Sequence, residues 1–138
     1  MMSVEKNKEV FHRLTAIFNG GDLSEIPEVI APDFHYSEPP MEFRGTEGYR
    51  QMVTMVRKAF PDIVFTIEEL FGEDDKLLAA LSWTGTFKGK YGEFEPSGKQ
   101  ITMKEALIVW FKDNKEVKQV AYVDWSSFFQ QAGINPFG

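Results

Sequence analysis

The chain has 138 residues, 43% of them hydrophobic and 26% charged, with 15 basic against 21 acidic side chains and a formal net charge of −6. That profile predicts one soluble domain over residues 1–138, large enough to bury a core, and excludes disorder and collagen-like repeats. The acidic balance argues against nucleic-acid partners, and the absence of cysteine removes disulfides, thiolate metal sites and a thiol nucleophile.

Ser3 reads as the N-cap of a first helix, with Val4, Phe11, Leu14 and Phe18, flanked by Val10 and Ile17, on one stripe, and Gly20-Gly21 as its stop. A short second helix is predicted from Ser24, with Pro27 in its first turn and Ile26, Val29 and Ile30 as its apolar residues, ending before Pro32. Asp33 to Glu38 reads as a short extended piece closed by Pro39-Pro40. A third helix opens at Thr46, carries Tyr49, Met52, Val53, Val56, Ala59 and Phe60 on its stripe, and ends at Pro61.

Beyond Pro61 the period changes from helical to two. Ile63, Phe65, Ile67 and Phe71 alternate with Val64, Thr66 and Glu68 as a strand, and Glu73-Asp74-Asp75 turns into a second strand from Lys76 to Lys88. Glycines 89, 92 and 98 with Pro96 mark a loop before a third strand, Lys99 to Lys112. Asp113-Asn114 makes a tight hairpin turn into a fourth strand, Val117 to Val123, and a C-terminal helix runs from Ser126 to Gln131, closed by Gly133. Three helices followed by a strand meander predict an α+β fold, in which a strongly curved, mostly antiparallel sheet wraps on the helices and leaves a cone-shaped interior.

Aromatic residues make up 14% of the chain, more ring surface than this size demands. Strand parity assigns Phe65, Trp83, Phe87, Phe111 and Tyr122 to the cone interior, with Met52 of the third helix beside them. Glu105 shares its face with Ile101, Met103, Leu107, Val109 and Phe111, a carboxylate among apolar neighbours. Val120, Tyr122 and Asp124 share one face of the last strand. Apolar residues on both faces of the strands predict a homodimer through the outer sheet face, which includes Trp110.

The end of the chain, Asp124, Phe128-Phe129, Gln131 and Gly133-Ile134, resembles the end of the SnoaL-like polyketide cyclases, in the nuclear-transport-factor-2-like and ketosteroid-isomerase-like superfamily. Gly45-Thr46-Glu47-Gly48, Ala59-Phe60-Pro61-Asp62, Gly85-Thr86 and Pro96-Ser97-Gly98 fit the same family in the same order. The resemblance implies a cone-shaped α+β barrel and a cofactor-free intramolecular aldol ring closure, with Asp124 as the general acid/base. Phe87 stands where the family has a Gly-Thr-His histidine, and Ser37 aligns with its other histidine, two positions after His35, which shares the face of Ser37 by parity.

The chemistry has an independent rationale: removing a proton beside a carbonyl needs a carboxylate in an apolar pocket and donors for the enolate oxygen. Asp124 is the expected base, Glu105, Tyr122 and the Trp83 indole the expected oxygen stabilisers, and His35 a further candidate. Two separated histidines give no zinc ligand spacing, and no metal or organic cofactor is expected. The leading expectation is a cytoplasmic, cofactor-independent lyase or isomerase acting on a small apolar carbonyl compound. Its alternatives are a non-catalytic module of the same fold for a hydrophobic ligand or protein partner, and an epoxide-hydrolase-type enzyme with an Arg between two pocket carboxylates. No apolar run is long enough for a membrane span, and the polar start, Ser3 through Glu9, does not read as a signal peptide.

Overall fold

The computed structural model describes residues 3–135. Helix α1 (Val4–Phe18) is capped by the Ser3 hydroxyl, which accepts from the Lys6 amide at 3.1 Å. A 3-10 turn at Leu23–Glu25 leads into a one-turn helix α2 (Ile26–Val29), with Pro27 in its first turn. The predicted second helix is thus shorter than expected. Ile30 opens strand β1 (Ile30–Glu38), and Pro32 lies within that strand. Four residues after the cis Pro39-Pro40 bond form a strand absent from the sequence reading, β2 (Met41–Arg44). Helix α3 (Gly45–Ala59) follows, and its inner stripe matches the expected one.

The meander comprises β3 (Val64–Glu73), β4 (Lys76–Thr86), β5 (Gln100–Lys112) and β6 (Lys115–Val123), followed by helix α4 (Trp125–Ala132). Asp113 and Asn114 both take positive φ, 52° and 66°, as the tight hairpin between β5 and β6 requires. Gly133 closes α4 at φ 76°, a left-handed position that only glycine takes without steric cost. The sheet order is β2-β1-β6-β5-β4-β3; β1 runs parallel to β6, and the other neighbours are antiparallel. An open, curved, mixed sheet backed by helices gives the expected α+β cone.

Helices α1 and α3 cover the inner face, and side-chain bonds tie the end of α1 to the sheet and α3 to α1. The Asn19 amide bonds both backbone groups of Phe65, at 2.7 and 3.0 Å, and the Arg57 guanidinium donates to the carbonyls of Ile17 and Gly21. The Gln131 side chain bonds the amide and carbonyl of Thr102, each at 2.8 Å, which docks α4 on β5.

Two register features decide which side chains face inward. Pairing of β3 with β4 shifts between Ile67 and Glu69, so Leu70 turns to the core and Phe71 turns outward, 57% exposed. Such a bulge adds one residue to one strand and inverts alternation beyond it; the expected placement of Phe71 beside Phe65 is therefore corrected. On β6, Gln119 and Ala121 are buried and Tyr122 is 59% exposed. The inner face of β6 is that of Gln119, Ala121 and Val123, opposite to the face expected to serve the pocket. No helix among the described residues is long and apolar enough to cross a membrane.

Candidate functional site

A cavity opens between the inner sheet face, α1, α3, α4 and the β4–β5 connection. Its space free of atoms, mouth included, is about 850 Å³, and only about 70 Å³ of it admits the centre of a water molecule, so the interior is narrow. Aromatic rings supply much of the wall. Tyr91, from the β4–β5 connection, stacks on Trp125 of α4 with centroids 6.1 Å apart and planes at 24°, and Phe60 lies 4.9 Å from Trp83.

Two carboxyl groups face this space. Glu38 ends β1, and because Phe34, Tyr36 and Glu38 alternate inward, it is only 6% exposed. The Tyr36 hydroxyl donates to it in a short hydrogen bond. Burial raises the Glu38 carboxyl above its ordinary value, and the Tyr36 donation acts in the opposite direction. Glu105 lies midway along β5, paired with Leu81 of β4 and Val123 of β6, both of which also line the cavity. The open space leaves it some accessible surface, but its apolar flanks strip water from the carboxyl and push it up to about 8; the nearby Glu38 charge adds to this, and the Trp83 indole partly offsets it.

These environments separate the two groups. Tyr36 donates to Glu38 and favours its ionised form, whereas Glu105 has apolar neighbours and a like charge nearby, which hold its proton up to about pH 8. The Tyr36 and Tyr91 hydroxyls, raised by burial and by both carboxylates, remain protonated donors. Gln119, 6% exposed, lines the same cavity, and its carboxamide has no hydrogen-bond partner among the described residues. Such a site pairs a base with a neutral acid, without a cationic side chain.

Of the residues expected from sequence, Met52, Phe65, Trp83 and Glu105 line this cavity together. Phe87 is fully buried against Phe60 and Phe128 and belongs to the core behind the wall, as Phe111 belongs to the core nearer α1. His35 points away from the cavity, since its neighbours Phe34 and Tyr36 point in, and its Nε2 lies 3.1 Å from Glu42. Tyr122 is on the outer face. Asp124 is exposed, lies outside the cavity lining, and accepts from the Ser127 amide at 3.0 Å as the N-cap of α4. The expectation of Asp124 as a pocket base is corrected in its geometry: β6 ends at Val123, as expected, and the Asp124 side chain turns into the helix start.

Glu38, Tyr36, Tyr91 and Gln119 were not anticipated. Tyr36 and Glu38 had a usable signal in the alternation Phe34-Tyr36-Glu38, once Phe34 is taken as buried. Tyr91 sits on an irregular connection, and only its contact with Trp125 brings it to the site.

The model of the SnoaL-like polyketide cyclases matches residues 8–132. Among solved structures, a candidate polyketide cyclase from Acidithiobacillus ferrooxidans is 31% identical, covering 96% of this chain and 98% of that one, with a TM-score of 0.80. TsrD from Streptomyces laurentii superposes with a TM-score of 0.88 at 21% identity, covering 98% and 100% of the two chains. A candidate SnoaL-like cyclase from Jannaschia gives a TM-score of 0.86 at 18% identity over 96% and 94%. No curated protein sequence matches significantly. With its cone fold and a family match over most of its length, the chain belongs to the SnoaL-like polyketide cyclase family.

Proposed function

We propose that the protein is a cofactor-independent acid/base catalyst for a small apolar carbonyl compound, acting as a lyase or isomerase of the polyketide cyclase type. The observation that carries this reading is the carboxyl pair lining one cavity, Glu38 hydrogen-bonded by Tyr36 and Glu105 set among apolar side chains; in it Glu38 serves as the base and Glu105 as the neutral acid. In the proposed step Glu38 removes a proton from the carbon beside the carbonyl. The C–H electron pair forms the enolate C=C bond, and the carbonyl oxygen takes the charge. The Glu105 O–H donates to that oxygen, a contact that strengthens as charge develops and so favours the transition state. In a ring closure the enolate carbon then attacks a second carbonyl, and the proton held by Glu38 passes to the new alkoxide. In an isomerisation the same proton returns to a different carbon.

The test is solvent deuterium exchange into 2-tetralone, followed by proton NMR, with wild type, Glu38→Gln and Glu105→Gln. Loss of the base is expected to cost about 10²–10⁴-fold in exchange rate. Wild-type exchange no faster than buffer, or an unaffected Glu38→Gln, would refute the mechanism.

Two observations favour a second reading, a non-catalytic ligand-binding module: the interior is narrow, and Asp124 is taken up by the helix cap. That reading expects ligand binding without exchange. The hydrolase alternative needs an Arg between two cavity carboxyls, and no described lining residue is an Arg.

The outer sheet face supports a homodimer. Leu78 (47% exposed), Phe71 and Tyr122 join Ile108, Val120 and Ala106 in one apolar patch across β3 to β6. Burial of such a patch against its copy removes large apolar side chains from water.

A further inference from the structure

A buried charge ordinarily has a counter-charge supplied by the protein. This cavity has none: its only charged lining residues are Glu38 and Glu105, and no Lys, Arg or His of the described lining reaches it. Aromatic residues, whose ring faces carry negative potential, form much of the remaining wall, with Trp83, Tyr91 and Trp125 among them. Gln119 adds a second, independent sign of an occupant, because its side chain is only 6% exposed, lines the cavity and hydrogen-bonds to no described residue, so its amide is open to a ligand in that space. A wholly apolar ligand would satisfy the rings but offer nothing to the Gln119 amide and leave Glu38 with the Tyr36 hydroxyl alone.

We infer that the cavity selects a small ligand with a protonated or quaternary amine, held between the aromatic faces and the Glu38 and Glu105 carboxyls, with a polar substituent on Gln119. Trimethylated or bulky amines suit such a wall, because their charge is spread over methyl groups that pack on rings. A carboxylate ligand of the same size meets two carboxyls and is rejected. The inference rests on the reading of the cavity as a ligand site, and not on the proton-transfer step.

The polar and titratable groups that act on Glu105 are Glu38 and Tyr36 from β1, Trp83 from β4 and Tyr91 from the connection; its partner on β6 is the apolar Val123. Neither tyrosine is ionised in the working range. A cation in the cavity therefore favours the ionised form of Glu105 and displaces its proton, so cation affinity rises as pH passes through about 8. A neutral ligand has no such dependence.

Three probes of one shape separate the possibilities: choline, 3,3-dimethylbutan-1-ol and 3,3-dimethylbutanoate. Each is titrated calorimetrically into the wild-type protein in 0.15 M salt at pH 6.5 and pH 9. Choline is expected to bind about tenfold or more tighter than the alcohol, equivalent to at least about 1.4 kcal/mol. The butanoate is expected not to bind, and choline to gain affinity and release protons with rising pH. Glu105→Gln should weaken choline at pH 9 and remove its pH dependence. Equal binding of choline and the alcohol, measurable butanoate binding, no binding of any probe, or choline binding indifferent to both pH and Glu105→Gln would each overturn the inference. Failure here leaves tetralone exchange free to succeed, and cation binding without exchange would support the inference while refuting the catalytic reading.

Discussion

Replacing Glu105 by Gln keeps the shape of the side chain and removes its titration, so it isolates the cost of placing a carboxyl on this wall. In the folded protein the group loses its proton near pH 8, and in the unfolded chain near the ordinary 4.5. That gap of roughly 3.5 pH units corresponds, at 1.36 kcal/mol each, to about 4–5 kcal/mol at most. Below pH 4.5 both states are protonated and the group contributes its full stability. Between 4.5 and 8 the unfolded chain releases the proton and gains hydration, the folded chain retains it, and stability falls with rising pH. Glutamine remains neutral throughout, so the mutant gains on the wild type as pH rises, by about 3 kcal/mol at pH 7. Urea unfolding monitored by tryptophan fluorescence at pH 4.5, 6, 7 and 8.5 measures this difference directly. A difference that stays flat across that range would refute the placement of Glu105 among desolvating neighbours.

Asp124→Asn should retain both exchange activity and stability, because Asn caps a helix as well as Asp does, whereas Asp124→Ala should cost about 1 kcal/mol in thermal or urea unfolding. Loss of activity in the Asn variant at unchanged stability would return the base to Asp124. Glu116 is fully buried with neither carboxylate oxygen hydrogen-bonded to a described residue, and burial holds its carboxyl well above its ordinary range. Its stability contribution is present at low pH and lost as pH rises, so Glu116→Gln should stabilise by about 1–3 kcal/mol at pH 8 and by less at pH 5, as read by urea unfolding. Tyr122→Glu combined with Leu78→Lys should convert a dimer to a monomer in sedimentation equilibrium without loss of helical signal; an unchanged mass would refute the outer-face assembly.

The α+β architecture was legible because the helical stripes and the strand alternation are long and uninterrupted. Glu105 was placed on the inner face for the same reason: β5 pairs with β4 without a shift from Gln100 to Trp110. The errors cluster where local pattern is silent. Val120 and Tyr122 are as apolar as Ala121 and Val123, so the inner side of β6 is set by the helices packed against it, which no single strand encodes. Phe71 was misplaced because Glu68 and Glu69 look like any polar pair, although the bulge they span inverts the strand. His35 and Ser37 were assigned inward by a family correspondence, while the apolar partners Phe34 and Tyr36 decide the actual face. Glu38 was visible only as a strand end before two prolines. Its importance comes from Tyr36 and from Glu105, 67 positions later in the chain, a relation made by folding.

The one-residue shift in β3 lets a single strand serve two unrelated surfaces. Ahead of it Phe65 helps enclose the cavity, and beyond it Phe71 belongs to the outward patch. Deleting one residue there would bring Phe71 back to the inner side and Leu70 out. Cavity shape and self-association are therefore joined by a single peptide unit, and one small deletion during divergence could trade an assembly surface for a different interior without changing any residue type.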